Sequence, residues 1–376
     1  MDYNIENPFK NLPQSLIGDM LSHYRELGKE LIDSFNKIQK EREKIRSSLK
    51  SHITRDSSII GSRVYPTTCG IDGAYTIERL HAVDIASIAS VAVEGLTPPT
   101  EKRYWPEPHH LCEILRVNHN PTTFLAMRAI MLTMELKLAT DAPHDVIFLD
   151  GSLATPVIHF NQAFSRLDEL PDELAERLLK GIEDALINYE EILLSAKSDK
   201  IYVGIPKYTS RNEVAVSIGL QAYEDRALLS FVLDDGEIVG PLDFVSSDDY
   251  WHFVDSLTQN INRDMKRITN NIITVIKQLK VVYYRPYSHM PTLRIEIPPV
   301  IADNRNRLSV LFEALQLQCI RGIMEPYPLY LADRMVKHLG IAIPAIRRAV
   351  IQDMLSMAEN TADIFLAMHS YRTEQS

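Results

Sequence analysis

The sequence predicts an α/β fold in which a mixed sheet is flanked by helices. Three observations carry that expectation. Short apolar, β-prone runs recur, such as Val146-Ile147-Phe148-Leu149 and Ile201-Tyr202-Val203-Gly204-Ile205. Between them lie longer stretches with apolar residues every three or four positions, the clearest being Phe124 to Ala139. Hydrophobic residues make up 45% of the 376, so the chain can bury a large core as one elaborated domain or as two or three units.

Residues 12–50 read as a long helix or helical pair. Ile17, Leu21, Tyr24, Leu31, Phe35 and Ile38 repeat at alternating spacings of three and four, with Gly28 where one repeat falls. The stretch ends in the charged run Lys40-Glu41-Arg42-Glu43-Lys44-Ile45-Arg46. Two readings stay open: a solvated helix packed on the main body, or an arm that dimerises or faces DNA. Residues 62–96 read as a hairpin, a strand into Asp72 followed by the apolar run Ala82 to Val93, and Pro98-Pro99 to Pro108 as a loop. The helix Phe124–Ala139 ends at Pro143, before the strand that leads to Asp150.

Residues 165–198 are expected to be helical. Ile201–Ile205 reads as a short strand and Ser247–Leu279 as a helix with Trp251 and Phe253 near its start. Val281–Tyr284 and Leu293–Ile297 are expected to pair as a hairpin, with helices at about Arg305–Arg321, Tyr330–Leu339 and Pro344–Ala358. Asp234-Asp235-Gly236-Glu237 looks like a turn, and Asp248-Asp249 like a helix N-terminus, where the dipole favours acids. The expected division is an N-terminal helical arm over 1–58, a main domain with helical insertions over 59–345, and a C-terminal helix and tail over 346–376.

No apolar run reaches the roughly 18 residues of a membrane span. The first residues carry neither a basic nor an apolar signal region, and the isolated Cys69, Cys112 and Cys319 form no zinc spacing; a reducing cytoplasm is expected. A net charge of -10 argues against a passive nucleic-acid binder. It is compatible with a metal-dependent nuclease, whose acids are offset by bound cations. There is no GxxxxGK[ST] loop, GxSxG elbow or HExxH.

Two Asp-Gly pairs follow apolar strands, Asp72-Gly73 and Asp150-Gly151, and the helix between them carries Glu135. An Asp-Gly pair is also a common hairpin turn. Strand Asp, helix Glu, strand Asp is, however, the order in which an RNase H-like sheet assembles a divalent-metal site. Carboxylates on rigid elements suit Mg²⁺ and Mn²⁺, and a pair of such ions supports phosphodiester hydrolysis. Arg128 lies seven residues before Glu135, on the same helical face, and could pair with a carboxylate or touch phosphate. Lys207, Ser210 and Arg211 follow the strand at Ile205 and suit phosphate contact or an ordinary polar loop. Arg285 and Arg294 flank a hairpin with Tyr283, Tyr284, Tyr287 and His289, a mix that suits single-stranded nucleic acid or simple cross-strand pairing.

Taken in order, these segments resemble the NurA nuclease family, whose members partner the HerA hexameric DNA translocase. The matching pieces are Gly70-Ile71-Asp72-Gly73, the helix with Glu135, Phe148-Leu149-Asp150-Gly151-Ser152-Leu153, and Val203-Gly204-Ile205-Pro206-Lys207 with Ser210. Tyr284-Arg285, Arg294-Ile295-Glu296-Ile297-Pro298 and Pro326-Tyr327-Pro328-Leu329 with Ala332-Asp333 complete the series. The resemblance implies an RNase H-like core, Mn²⁺ or Mg²⁺ in a two-metal site, and a homodimer with a channel for DNA ends. Asp72, Glu135 and Asp150 would be metal ligands. One motif departs from the pattern: Glu325 stands where a Tyr is expected and Asp333 where a His is expected. A carboxylate can serve in place of imidazole, which makes Asp333 the fourth candidate ligand. The expected function is metal-dependent cleavage of DNA at its ends, fed by a HerA-like ATPase, in end processing or defence against foreign DNA. The alternative is a non-catalytic DNA-end clamp on such a motor.

Overall fold

The computed structural model describes residues 9–10, 12–61, 65–195, 197, 199–207, 212, 214–215, 218, 224–244, 251–357, 364 and 366–369. Its strands are β1 (Ile53–Arg55), β2 (Thr68–Arg79), β3 (Asp84–Glu94), β4 (His109–Val117), β5 (Val146–Asp150), β6 (Ile201–Ile205), β7 (Glu237–Asp243), β8 (Lys280–Arg285) and β9 (Leu293–Ile297). The helices are α1 (Gln14–Leu49), α2 (Thr123–Asp141), α3 (Thr155–Phe164), α4 (Asp172–Leu194), α5 (Asp225–Val232), α6 (Asp255–Gln259), α7 (Met265–Lys277), α8 (Pro299–Ala302), α9 (Arg305–Gln318), α10 (Tyr327–Lys337) and α11 (Leu339–Met357).

Among the described residues the strands form one nine-stranded sheet in the order β1-β7-β8-β9-β6-β5-β2-β3-β4. β2, β3 and β4 pair antiparallel, while β5 runs parallel to both β2 and β6. These five strands, with α2 between β4 and β5, are the RNase H-like core. β9, β8, β7 and β1 extend it antiparallel beyond β6. β1 is drawn from the last residues of the expected arm: Ile53 to Arg55 pair with Val239 to Glu237.

β5 is apolar along its length because helices cover both faces of the sheet there. Its side chains alternate. Ile147 and Leu149 join the core built with α2, α3, α4 and α7. Val146 and Phe148 join the core on the other face, with Leu311, Phe312 and Leu315 of α9 and Leu329 of α10. Each such buried side chain contributes ~1.5–3 kcal/mol.

Several elements differ from the sequence reading. The strand into Asp72 does not turn at Gly73 but runs on to Arg79. β4 follows the Pro-rich loop; it is an edge strand with mostly exposed residues, so it has little apolar signature. α3 separates Asp150 from the acidic helix α4. The expected helix over Ser247–Leu279 is broken. Trp251 to Val254 is not helical, and α6 and α7 are separated at Asn260–Asp264. Local polar bonds cause the break: the Asn260 side chain donates to the Ser256 carbonyl, and Glu183 of α4 accepts both the backbone and side-chain N–H of Asn262. Residues 247–250, including Asp248-Asp249, lie outside the described residues.

α1 docks by its C-terminal part. Ile38, Ile45 and Leu49 are buried, and Arg46 grips Glu237 with two bonds of 2.8 and 2.9 Å. Toward its N-terminus Leu16, Met20, Tyr24, Leu27 and Leu31 are exposed.

The crossing of α10 over β2 sets the geometry of the site. A Cβ at Gly70 would lie 2.3 Å from the Leu329 backbone N and 2.4 Å from the Pro328 carbonyl carbon. Backbone cannot yield as a side-chain tip can, so Gly70→Ala should lower the unfolding free energy by ~1–3 kcal/mol or more. Gly18→Ala, with nothing within 4 Å of the added methyl, should not lower it. Denaturant titration of both variants checks this; equal stability would refute the close approach.

Candidate metal centre

Asp72 sits mid-strand on β2 and Asp150 ends the parallel neighbour β5. Asp333 comes from α10, which packs across β2 and β3. One carboxylate oxygen from each of the three lies within 4.8 Å of the other two. Glu135 on α2 stands behind them, fully buried, and is outside that trio. Gly73 makes room for it: a Cβ there would lie 2.5 Å from the Glu135 Oε1 and 2.7 Å from both Met131 Cγ and Ser90 Oγ. Gly151 plays a different part. Its φ of +92° lets the chain turn sharply after Asp150 toward α3.

Lys207, two residues past β6, occupies the centre of the acids. Its Nζ lies 2.7 Å from Asp333, 3.0 Å from Asp150 and 3.2 Å from Glu325. Lys337, one helical turn beyond Asp333, reaches its other oxygen at 2.6 Å. Burial pushes the Asp72 carboxyl up, Asp150 and Asp333 push it further, and Lys207 only partly opposes them; it reaches about 8. Burial, with the charges of Asp72 and Asp150, drives Glu135 well above the ordinary range. Burial also pushes at Asp333, but the bonds from Lys207 and Lys337 outweigh it and hold that carboxyl below its usual value. For Lys207, the acids around it outweigh burial and keep it protonated.

The donor set fits a divalent hard cation. Three carboxylates converge and repel one another, relieved by Lys207 among them and by Lys337 on the outer oxygen of Asp333. The cavity they open onto has a volume of about 550 Å³ and is also lined by Arg128, His159, Phe244, Trp251 and Glu296. A second, of about 440 Å³, shares Lys207, Asp333 and Lys337 with it and is lined further by Arg226 and Glu325.

Of the other expected contacts, Arg128 lines the first cavity, with Nη2 bonded to the Tyr75 hydroxyl at 3.1 Å. Arg285 is not among the lining residues of either cavity; its guanidinium donates to the carbonyls of Leu233 and Ser288. Arg294, expected on nucleic acid, is an interior residue instead. It is 0% exposed, and its guanidinium is taken up by Glu296 at 3.2 Å and the Tyr283 hydroxyl at 2.5 Å. Tyr283 and Tyr284 are likewise fully buried and offer no stacking surface. Ser210 and Arg211 lie outside the described residues.

Glu296, Lys337, Glu325, His159, Phe244 and Trp251 are residues the sequence reading did not place at the site. Two had a signal. Lys337 is four positions from Asp333 on one helix, and Glu296 is two from Arg294 on one strand, which puts that pair on a common face. Glu296 holds the Asp150 turn from behind: its Oε2 accepts from the Ser152 hydroxyl at 2.5 Å and from the Leu153 N–H at 3.1 Å. The chain of bonds continues from Arg294 through Tyr283 to Asp225, which accepts the N–H groups of Val214 and Ala215. Arg226 beside it donates to the Lys207 carbonyl. One buried network therefore supports both the Asp150 turn and the chain around Lys207.

Two outcomes follow for the metal-free protein. Between pH 3.8 and about 8 the folded protein keeps a proton on Asp72 that the unfolded chain releases. Its stability therefore falls as pH rises through that window, and Asp72→Asn flattens the fall. Thermal melts of both proteins across the window, in EDTA, check this; a rise with pH would refute it. Separately, Glu296→Ala removes the carboxylate that faces the buried Arg294 guanidinium and should cost ~3–5 kcal/mol. Glu296→Gln, which still accepts from Ser152, should cost less. Equal unfolding free energies for the two variants would show that the pair does not carry the turn.

The NurA domain family model matches residues 66–338. The NurA nuclease from Sulfolobus solfataricus superposes with a TM-score of 0.62 at 13% identity, covering 93% of this chain and 99% of that one. A structure of NurA with manganese gives 0.55 at 14% identity, covering 90% and 99%. One of NurA bound to dAMP and manganese gives 0.55 at 14%, covering 92% and 99%. No curated protein matches. With the family model spanning well over half of the sequence and the same fold throughout, the chain belongs to the NurA nuclease family.

Proposed function

We propose that this chain is a divalent-metal-dependent deoxyribonuclease that hydrolyses phosphodiester bonds at DNA ends. The observation that carries the reading is the convergence of Asp72, Asp150 and Asp333 within 4.8 Å of one another. Asp72, Asp150 and Asp333 would hold one or two Mn²⁺ or Mg²⁺ ions, with Glu135 completing the acidic surround. Such ions activate water and stabilise the developing charge on the leaving oxygen. The solved family member that holds manganese and dAMP supports both the ion and the nucleotide.

The protein's own groups have separable tasks. Strands β2 and β5 and helix α10 fix the carboxylates, so little ordering cost remains at binding. Lys207, once its acids are otherwise neutralised, is free to pair with a phosphate oxygen in the shared space of the two cavities. Arg128 stands on the wall of the larger cavity, where it can meet the DNA backbone. The family supports a HerA-like hexameric ATPase as the motor that delivers DNA ends, and a homodimer as the working form. The exposed apolar side chains of the N-terminal half of α1 support an arm that pairs with another chain.

Cleavage of end-labelled single- and double-stranded DNA in Mn²⁺, Mg²⁺ and EDTA tests the reading, with RNA and hybrid duplexes alongside. Wild-type protein should cut DNA in metal and not in EDTA, and Asp72→Asn and Asp150→Asn should fall to background. Loss in Asp333→Asn as well would make that acid a working ligand. Intact DNA in every metal, with a co-expressed motor included, would sink the catalytic reading and leave a DNA-end clamp.

A further inference from the structure

We infer that the apolar part of the carboxylate cavity is a nucleobase subsite, taking the base of the nucleotide whose phosphate meets the acids; this rests on the nuclease reading. The lining residues are of two kinds. Charge comes from β2, β5, β9, Lys207, α10 and, through Arg128 and Glu135, from α2. The apolar set comes from Leu132 of α2, Ile158 of α3, Phe244 and Trp251. A nucleotide has the same two halves, an anionic phosphate and a flat base with apolar faces.

The aromatic wall is built to stay in place. Phe244 is 4% exposed, and its backbone N–H donates to the Leu279 carbonyl at 2.9 Å. Its ring lies 6.0 Å from that of Trp251 and 6.0 Å from the buried Arg294 guanidinium. Trp251 is half-buried, and the chain after it is pinned to α3 at both ends of one side chain. Asn161 donates to the His252 carbonyl at 2.6 Å and accepts from the Val254 N–H at 3.0 Å. α3 also brings Ile158 and His159 to the same wall. An indole held rigidly against a packed neighbour offers a flat surface at little ordering cost. The polar group on this wall, His159, is engaged with Gln162 at 2.9 Å, and burial keeps its imidazole from protonating at its usual pH. Stacking of this kind accepts any base, and a cavity of about 550 Å³ is of a size that suits a small ligand.

The test uses tryptophan emission, since the chain has two tryptophans, Trp105 and Trp251. The full-length protein in Mg²⁺ is titrated with dAMP, with dTMP and with 2-deoxyribose 5-phosphate, and affinities are measured in parallel by calorimetry. Both nucleotides should quench the emission, the baseless phosphate should not, and the quench should vanish in Trp251→Phe. Trp251→Ala should bind dAMP about tenfold more weakly, with its affinity for the baseless phosphate kept, which also shows that the variant is folded. Equal binding of dAMP and deoxyribose phosphate by the wild type, or undiminished dAMP binding by Trp251→Ala, overturns the subsite. DNA cleavage by the same preparations is read separately. Cutting without base-selective binding overturns the subsite and leaves the nuclease; base-selective binding without cutting upholds the subsite and removes the nuclease.

Discussion

Asp72, Asp150 and Asp333 bring three carboxylate oxygens within 4.8 Å of one another in a place where protein has displaced much of the screening water. At an effective dielectric of about 20, two like charges about 4 Å apart repel by roughly 4 kcal/mol. Three such pairs would rival the whole stability of a typical domain, about 5–15 kcal/mol. The trio can persist only with a proton, a cation or both among its members. The protein supplies both: a proton held on Asp72 by its neighbours and its burial, and the ammonium of Lys207. A site that has to be neutralised from outside the carboxylates is also a site that favours a divalent ion.

The fold carries the cost of assembling this cluster. β2 and β5 deliver Asp72 and Asp150 side by side because they are parallel neighbours in the interior of the sheet. Asp333 arrives only because α10 lies directly on the β2 backbone, an approach that the missing side chain of Gly70 permits. Glu135 arrives because Gly73 has no side chain either. Behind the cluster, the fully buried Arg294 and the buried Glu296 hold the Asp150 turn. Positions are thus set by backbone contact and a satisfied polar network rather than by loops.

The sequence makes the central part of this legible and leaves the periphery hidden, for physical reasons. The buried strands β5 and β6 and the apolar helix α2 announce themselves through continuous or periodic hydrophobicity. Asp72, Glu135 and Asp150 stand out as acids within such runs. β4 stays hidden because an edge strand has little to bury, and α6 and α7 read as one helix because side-chain bonds of Asn260 and Asn262 break it. Arg294 reads as a surface cation, since nothing local in the sequence says that Glu296 and Tyr283 close around it. Lys207 is recognisable as a site residue, but its place among the carboxylates depends on β6 and α10 meeting, 126 residues apart in the chain.

The resemblance read from the sequence leads one to expect a histidine at position 333, and the carboxylate of Asp333 changes the charge balance. A neutral imidazole adds no charge to the cluster; a carboxylate adds one more negative charge to a place already short of positive ones. Lys337 lies one turn along the same helix and binds the Asp333 oxygen that Lys207 does not. With both lysines on it, Asp333 is held below its ordinary range and stays ionised, while Asp72, opposed by two acids, keeps its proton to about 8. Two carboxyl groups of one site are thereby pushed to opposite sides of neutrality, the separation by which a protein assigns different duties to like groups. The acid at position 333 is therefore not a surplus charge. It is a member of the trio whose charged form two lysines favour, beside an Asp72 whose carboxyl is pushed up by burial and the neighbouring acids.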